Sequence, residues 1–361
     1  MKKIIFAILN LFQILYAQQS PLIVNNYQKL TSYDELSEFV DQLEKSSKIA
    51  AVETIGKSIE GRNIYVLKFS STEFGQDDSK IKVLVFAQQH GNEQSGKEGA
   101  LLLAEELLKS ENKYLFDKID FALIPQMNPD GSEANKRRNG NDADLNRDHL
   151  ILDQPENIAL HKFFDKYLFE VSMDVHEYYP FGEDWKKYGY RRNFDETIGA
   201  PTNINVSAKI RDLANEKCIP YIFDRLREKD FTAFSYILGG PPEVDLMRYS
   251  TFDINDGRQS FAIQNTFSFI QEGMNAEIVE TESIQKRAEG QMNGILSLLE
   301  FTYNNKEEIK NLVKEEREKL INNGSPKLVA IQLEHISDGS KLEIPLFSYH
   351  SQKDSLITVD D

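Results

Sequence analysis

Residues 81–87, IKVLVFA, form a nearly continuous run of β-branched and aromatic side chains. Such a run suits a strand covered on both faces, and a strand of that kind needs helices above and below its sheet. The chain supplies them. A polar, glycine-containing turn at 88–93 is followed by helical spacing over 97–108. The pattern then returns, with strands predicted at 119–124, 169–175 and 266–270 and helices at 158–167, 206–215 and 284–301. Ahead of it lie an amphipathic helix at 33–45, carried by Leu36, Phe39, Val40 and Leu43, and a strand at 63–69. Strands alternating with helices predict an α/β fold with a mixed, largely parallel central sheet covered by helices on both faces.

The two ends read differently. Lys2 and Lys3, an apolar run over 4–16 interrupted by Asn10 and Gln13, and then Ala17 have the order of an export signal. The run is short of the roughly 20 apolar residues that a spanning helix needs. The expected division is a signal peptide at 1–17, a main domain at 18–303 and an extension at 304–361. The mature chain would be periplasmic or secreted, with no stable membrane insertion after cleavage. Residues 305–323 predict a solvated Lys/Glu-rich helix, broken by Gly324 and Pro326, and 327–361 alternate like two or three strands. A segment of under about 40 residues seldom builds its own core. It is either a short C-terminal β appendage on the main domain or the start of another domain.

Charge and cysteine content narrow the chemistry. Lys and Arg total 42 against 58 Asp and Glu, a net −16 that would repel a phosphate backbone, so nucleic acid is not an expected partner. The single cysteine, Cys218, can supply neither an internal disulfide nor a thiolate zinc cage. In an open α/β sheet, ligands gather beyond the carboxyl ends of the strands. There the sequence places His90, Gly91, Asn92 and Glu93 after the first run, His176 after 169–175, and Glu272 after 266–270. Two histidines and a carboxylate suffice for a catalytic zinc with one open position, and a further carboxylate nearby is a candidate general base. His149, His161, His335 and His350 are expected on helix faces or in the tail, in ordinary surface roles.

The series becomes specific when its members are taken together. His90-Gly91-Asn92-Glu93, Asn128-Pro129-Asp130-Gly131, Asp144-Leu145-Asn146-Arg147 and Asp174-Val175-His176-Glu177, with the upstream stretch from Gly56 to Arg62, resemble the zinc carboxypeptidase family over roughly residues 33–301. The resemblance implies one Zn2+ per chain held by His90, Glu93 and His176, and a peptide substrate with a free C-terminal carboxylate. It implies that Asn146 and Arg147 bind that carboxylate, a task for which a planar guanidinium is suited. Asp144 would orient His90. Arg137, with Asn139 completing its motif, would polarise the scissile carbonyl, although Arg138 stands next to it.

For the base, Glu272 is preferred over Glu280, which also ends a strand-like run at 276–280. Tyr236 and Tyr249 are candidates for a substrate-capping tyrosine. The stretch 178–192, with the only tryptophan, Trp185, is expected to line the groove. The expected activity is hydrolysis of the C-terminal peptide bond by a zinc metallocarboxypeptidase. A deacylase or amidase on the same scaffold, or a non-catalytic peptide-binding protein, are the alternatives.

Overall fold

The computed structural model describes residues 19–322 and 328–360. The expected signal peptide and the break at Gly324 and Pro326 lie outside them. In chain order the strands are β1 (Ala50–Lys57), β2 (Asn63–Phe69), β3 (Ile81–Ala87), β4 (Ile119–Ile124), β5 (Val171–Tyr178), β6 (Tyr190–Arg192), β7 (Glu196–Gly199), β8 (Ala233–Ser235), β9 (Phe267–Met274), β10 (Lys341–Ser348) and β11 (Lys353–Asp360). The principal helices are α1 (Tyr33–Ser46), α2 (Gln94–Glu106), α3 (Pro155–Tyr167), α4 (Gly257–Ala262), α5 (Ile284–Asn304) and α6 (Lys306–Asn322).

Eight strands form one sheet in the order β1-β2-β4-β3-β5-β9-β7-β8. Its centre is parallel: β4 with β3, β3 with β5 and β5 with β9. Antiparallel pairs flank the centre at β1–β2, β2–β4 and β7–β9. The sheet is therefore mixed and largely parallel, as the alternation of strands and helices predicts.

The period-2 geometry of β3 explains the double cover. Val83, Val85 and Ala87 join the cluster that includes Leu101 and Leu103 of α2 and Ile295 and Leu298 of α5. Leu84 and Phe86 join the opposite cluster, with Leu160, Phe163 and Phe164 of α3. Each such side chain, fully buried, contributes roughly 1.5–3 kcal/mol from water exclusion. Local signals agree with the packing: α1 opens on a capping box in which the Glu35 N–H donates to Ser32 Oγ and the Ser32 N–H to the Glu35 carboxylate.

Two strands run further than their apolar content predicts. The expected 169–175 segment becomes β5, which continues through His176 to Tyr178, and the expected 266–270 segment becomes β9, which continues through Glu272 to Met274. Pairing with neighbours holds the polar ends extended, with His176 directly opposite Glu272 in the ladder. The strand expected at 276–280 is absent; those residues form a bend leading into α5.

The C-terminal segment is an appendage on the main body. In α6, Ile309 and Val313 dip into the main core while most of the helix faces water. The β10–β11 hairpin adds to the main body through β10 and β6, with Leu346 opposite Arg192 and Ser348 opposite Tyr190. Ile344 and Leu346 pack on Trp185, Phe194 and Ile237. No helix among the described residues is long and apolar enough to cross a membrane.

Candidate metal centre and substrate pocket

The chain leaves β3 through Gln88, whose positive φ of 58° turns the backbone sharply out of the strand. The next residues cross a second turn at very short range. A Cβ on Gly91 would lie 2.1 Å from the Gly131 carbonyl carbon, and one on Gly131 would lie 2.6 Å from the Arg138 oxygen, so neither position admits a side chain. Asn128 ties the two turns together: its Oδ1 accepts the Gly131 N–H at 2.9 Å and its Nδ2 donates to the Gln89 carbonyl at 3.0 Å. Asp130 then reaches the upstream hairpin, accepting from Ser58 Oγ at 2.7 Å and pairing with Arg62 at 2.6 Å. The separate sequence motifs are thus one hydrogen-bonded support for the loop that carries His90 and Glu93.

His90 and Glu93 from this loop and His176 from β5 converge, with one potential ligand atom from each within 4.8 Å of the others. His90 Nδ1 stands 2.7 Å from Glu93 Oε1, and His176 Nδ1 stands 2.8 Å from Glu93 Oε2. The two Nδ1 atoms are 3.1 Å apart. The outer edges of both rings face carboxylates: His90 Nε2 lies 3.1 Å from Asp144 and His176 Nε2 lies 2.9 Å from Asp174. With His90 Nε2 donating to Asp144 and the His176 proton also on its outer Nε2, two Nδ1 lone pairs and the anionic Glu93 carboxylate point at one another. That arrangement is repulsive unless a cation lies between them, and the donor set suits zinc. Burial alone would raise the Glu93 carboxyl, but the two imidazoles outweigh it and hold the group well below the usual carboxylate range.

Glu272, paired with His176 in the ladder, lines the same cavity of about 280 Å³. Burial and the neighbouring Glu93 push its carboxyl up to about 7 against the opposing pull of His176, His90 and Tyr236. A cation in the cluster would lower that value and favour the carboxylate, the form that can accept a proton. Glu280 is elsewhere, exposed and accepting from Asn135. Tyr236 is half-buried beside Glu272 and lines the pocket, whereas Tyr249 lines a neighbouring cavity instead.

Arg137 belongs to the site. Its Nη1 stands 3.2 Å from His90 Nδ1, and its Nε donates to Asp144 at 3.1 Å. Arg138 turns away to the Asp142 carbonyl, so the structure separates the two adjacent arginines. Asn139 is not in the pocket; it is buried and fixes the following turn through Gln154, Glu156 and Ala143. Asn146 and Arg147 both line the pocket. Asn146 Oδ1 accepts the Gly257 N–H at 2.8 Å and its Nδ2 faces His176 Nε2 at 3.2 Å. Arg147 donates to the Asn146 carbonyl and, among the described residues, has no carboxylate within 4.0 Å. Its charge is available to a ligand.

Two expectations need correction. His149 is no surface residue: it is 3% exposed, 2.7 Å from Gln89 and 3.0 Å from His161, and burial pushes its pKa well down. Trp185 does not line the groove. Tyr178, Tyr179 and Arg192 from that stretch do, while the indole is covered by the C-terminal hairpin. Asp174 is a site residue to which the sequence reading gave no role, yet its signal was present, because residues two apart on a strand share a face and Asp174 precedes His176 by two. Arg258 and Asp256 were given no role in the site by the sequence, whereas Tyr236 was one of two candidate capping tyrosines.

Residues 36–154 match the family model described as zinc carboxypeptidase. A carboxypeptidase 2 of Trichophyton rubrum is 26% identical over 298 residues, covering 78% of this chain and 54% of that protein. Carboxypeptidase M of mouse is 32% identical over 151 residues, covering 36% and 34%. The chain spans about half the length of the curated relatives it matches first. Among solved structures, a metallo-carboxypeptidase from Pseudomonas aeruginosa in complex with (2-guanidinoethylmercapto)succinic acid superposes with a TM-score of 0.59 at 19% identity, covering 78% of this chain and 71% of that one. One from Burkholderia cenocepacia gives 0.57 at 19% identity over 76% and 71%. At that identity the superpositions speak for the fold, and the matched segment carries the loop that brings His90 and Glu93 to His176. The chain thus resembles zinc carboxypeptidases in sequence over residues 36–154 and shares the fold of solved metallo-carboxypeptidases over about three quarters of its length.

Proposed function

We propose that this protein is a zinc-dependent metallocarboxypeptidase that removes the last residue of peptides with a free C-terminal carboxylate. One observation carries the reading: a three-residue cluster that could hold a metal, a buried carboxyl group on β9 and a guanidinium free of internal carboxylates share one pocket. In the proposed role His90, Glu93 and His176 hold one zinc ion, which when bound supplies Lewis acidity and makes water a stronger acid.

The chain's own groups then divide the work. Glu272 accepts a proton from the attacking water and returns it to the leaving amine. Arg137, fixed by Asp144, presents positive charge to the oxyanion that develops on the scissile carbonyl. Arg147 and the Asn146 amide receive the terminal carboxylate, which places the last peptide bond beside Glu272. Asp144 and Asp174 keep the imidazoles oriented with Nδ1 inward.

We also read residues 1–17 as a cleaved export signal, 18–303 as the catalytic domain and 304–361 as its extension, on the support of the basic-then-apolar opening and the attachment of β10 to β6. The functional test is incubation of the zinc-loaded protein with peptides of one sequence bearing a free or an amidated end. Release of single residues from free ends alone supports the assignment; internal cleavage, or equal action on both ends, rejects it.

A further inference from the structure

Four arginines line the pocket, Arg137, Arg147, Arg192 and Arg258, in a chain whose net charge is −16. The reaction and the terminal carboxylate employ the first two. The other two have no part in that chemistry, and both carry an Nε that is buried without a hydrogen-bond partner. Arg258 is 1% exposed and opens α4; its Nη1 donates to the Ala200 carbonyl and its Nη2 to Ser250 Oγ. Its guanidinium faces the Tyr236 ring at 5.7 Å. Arg192 is half-buried over the Tyr178 and Trp185 rings at 5.0 and 5.8 Å, donates to the Ile237 carbonyl, and has no carboxylate within 4.0 Å among the described residues.

The acids that line the pocket are already engaged. Glu93 belongs to the metal cluster, Glu177 is bound by Arg287, and Glu272 faces the reacting bond. Asp256 caps α4, accepting the Gln259 N–H at 2.6 Å through Oδ1, while its Oδ2 stands 3.6 Å from Arg258. A basic substrate side chain would find two cations and no uncommitted acid. A carboxylate would find the reverse: buried donors that cost free energy while unmet and charged hydrogen bonds to be gained.

We propose that the pocket selects peptides whose last residue has an acidic side chain, with Arg258 as its principal receptor and Arg192 as a second positive wall. This deepens the carboxypeptidase reading and rests on it. Arg258, Tyr236 and Ser250 also line the adjoining larger cavity, so a side chain entering on either side of this partition meets the same guanidinium.

The test uses the full-length, zinc-loaded protein and N-acetylated tripeptides that end in Glu, Gln, Leu or Lys. Turnover is followed on the wild type, and binding is followed by calorimetry on Glu272→Gln, where peptide consumption is slowed by roughly 10²- to 10⁴-fold. Glu and Gln differ in charge at almost equal size, so the expected preference for Glu, about 10- to 100-fold, isolates the charged contact. Arg258→Met should erase that preference at unchanged zinc content. Should that variant not fold, the wild-type ratio still decides, and Arg192→Met, at a half-exposed position, should reduce the ratio in part. Hydrolysis without a preference for Glu, or with Lys or Leu preferred, overturns the selectivity and leaves the carboxypeptidase reading standing. Tighter binding of the Glu peptide without any hydrolysis overturns the activity and leaves the selectivity. Neither binding nor hydrolysis overturns both.

Discussion

The pocket has two walls built on different principles. The metal wall comes from the ends of β3, β5 and β9, where each functional side chain is fixed by a strand of the central sheet and by partners close to it in the motif series. The opposite wall comes from β6 and from residues between Tyr236 and Arg258, and part of it is propped from behind by the C-terminal hairpin. On the proposed function the first wall concerns the bond to be broken, and the second whatever lies beside it. A chain can therefore keep its chemistry while its choice of substrate is set by segments far away in sequence.

The comparison breaks most readily at the metal wall. Glu93→Ala removes the carboxylate between two imidazoles and should abolish both stoichiometric zinc and turnover, as read by metal analysis and peptide hydrolysis. Glu272→Gln should separate the base from the metal. Zinc content is expected to persist while turnover falls by roughly 10²- to 10⁴-fold, the usual loss for a general acid–base group. Glu280→Gln should leave activity near wild type, since that residue is exposed and apart from the pocket.

The same residue sets the sign of the pH dependence. In the proposed mechanism Glu272 works deprotonated, so kcat/KM should rise with pH through its pKa. With burial placing the group at about 7 in the absence of a cation, and a cation lowering it, the acid limb should lie below pH 7. Loss of that limb in a residually active Glu272→Gln protein would support the assignment, and an unchanged limb would refute it.

At the carboxylate end of the pocket, Arg147→Ala should cost about 2–5 kcal/mol on free-ended peptides, as when one partner of a desolvated charged pair is removed. Residual cleavage of amidated peptides should change far less. Equal losses would make Arg147 a structural residue. A smaller effect is expected one layer out: Asp174→Asn keeps the shape beside His176 but removes the charge, and zinc affinity measured by competition with a chelator should fall about 10- to 100-fold.

The second wall gives the mildest effect and the sharpest contrast. Leu346→Ala thins the packing on Trp185 behind β6 without touching the sheet ends. Zinc content and the dependence on Glu272 should stay as in the wild type, with KM raised more than kcat is lowered. Zinc loss in this variant would mean that the two walls are not separable.

The sequence alone determined the parts that depend on local pattern. Period-2 and helical spacings define the covered sheet, because a strand buried on both faces must be largely apolar, as 81–87 is apart from Lys82. The convergence of His90, Glu93 and His176 was legible because strand ends gather at one edge of a parallel sheet, and Asp174 was legible in principle from its two-residue spacing to His176. Tertiary structure alone decided the rest. Adjacent arginines differ in fate because backbone direction turns Arg137 to His90 and Arg138 to Asp142. Polar residues continue β5 and β9 because ladder partners hold them extended, against their weak propensity for strands. His149 is buried by contacts with Gln89, 60 residues earlier, and Trp185 by a hairpin at the other end of the chain. Arg258 sits in a short helix, and its place against Ala200, Tyr236 and Ser250 exists only once β7, β9 and the intervening loops have met. Local sequence encodes the conformation of a segment and the side it buries; which distant side chains it will face is a property of the closed chain.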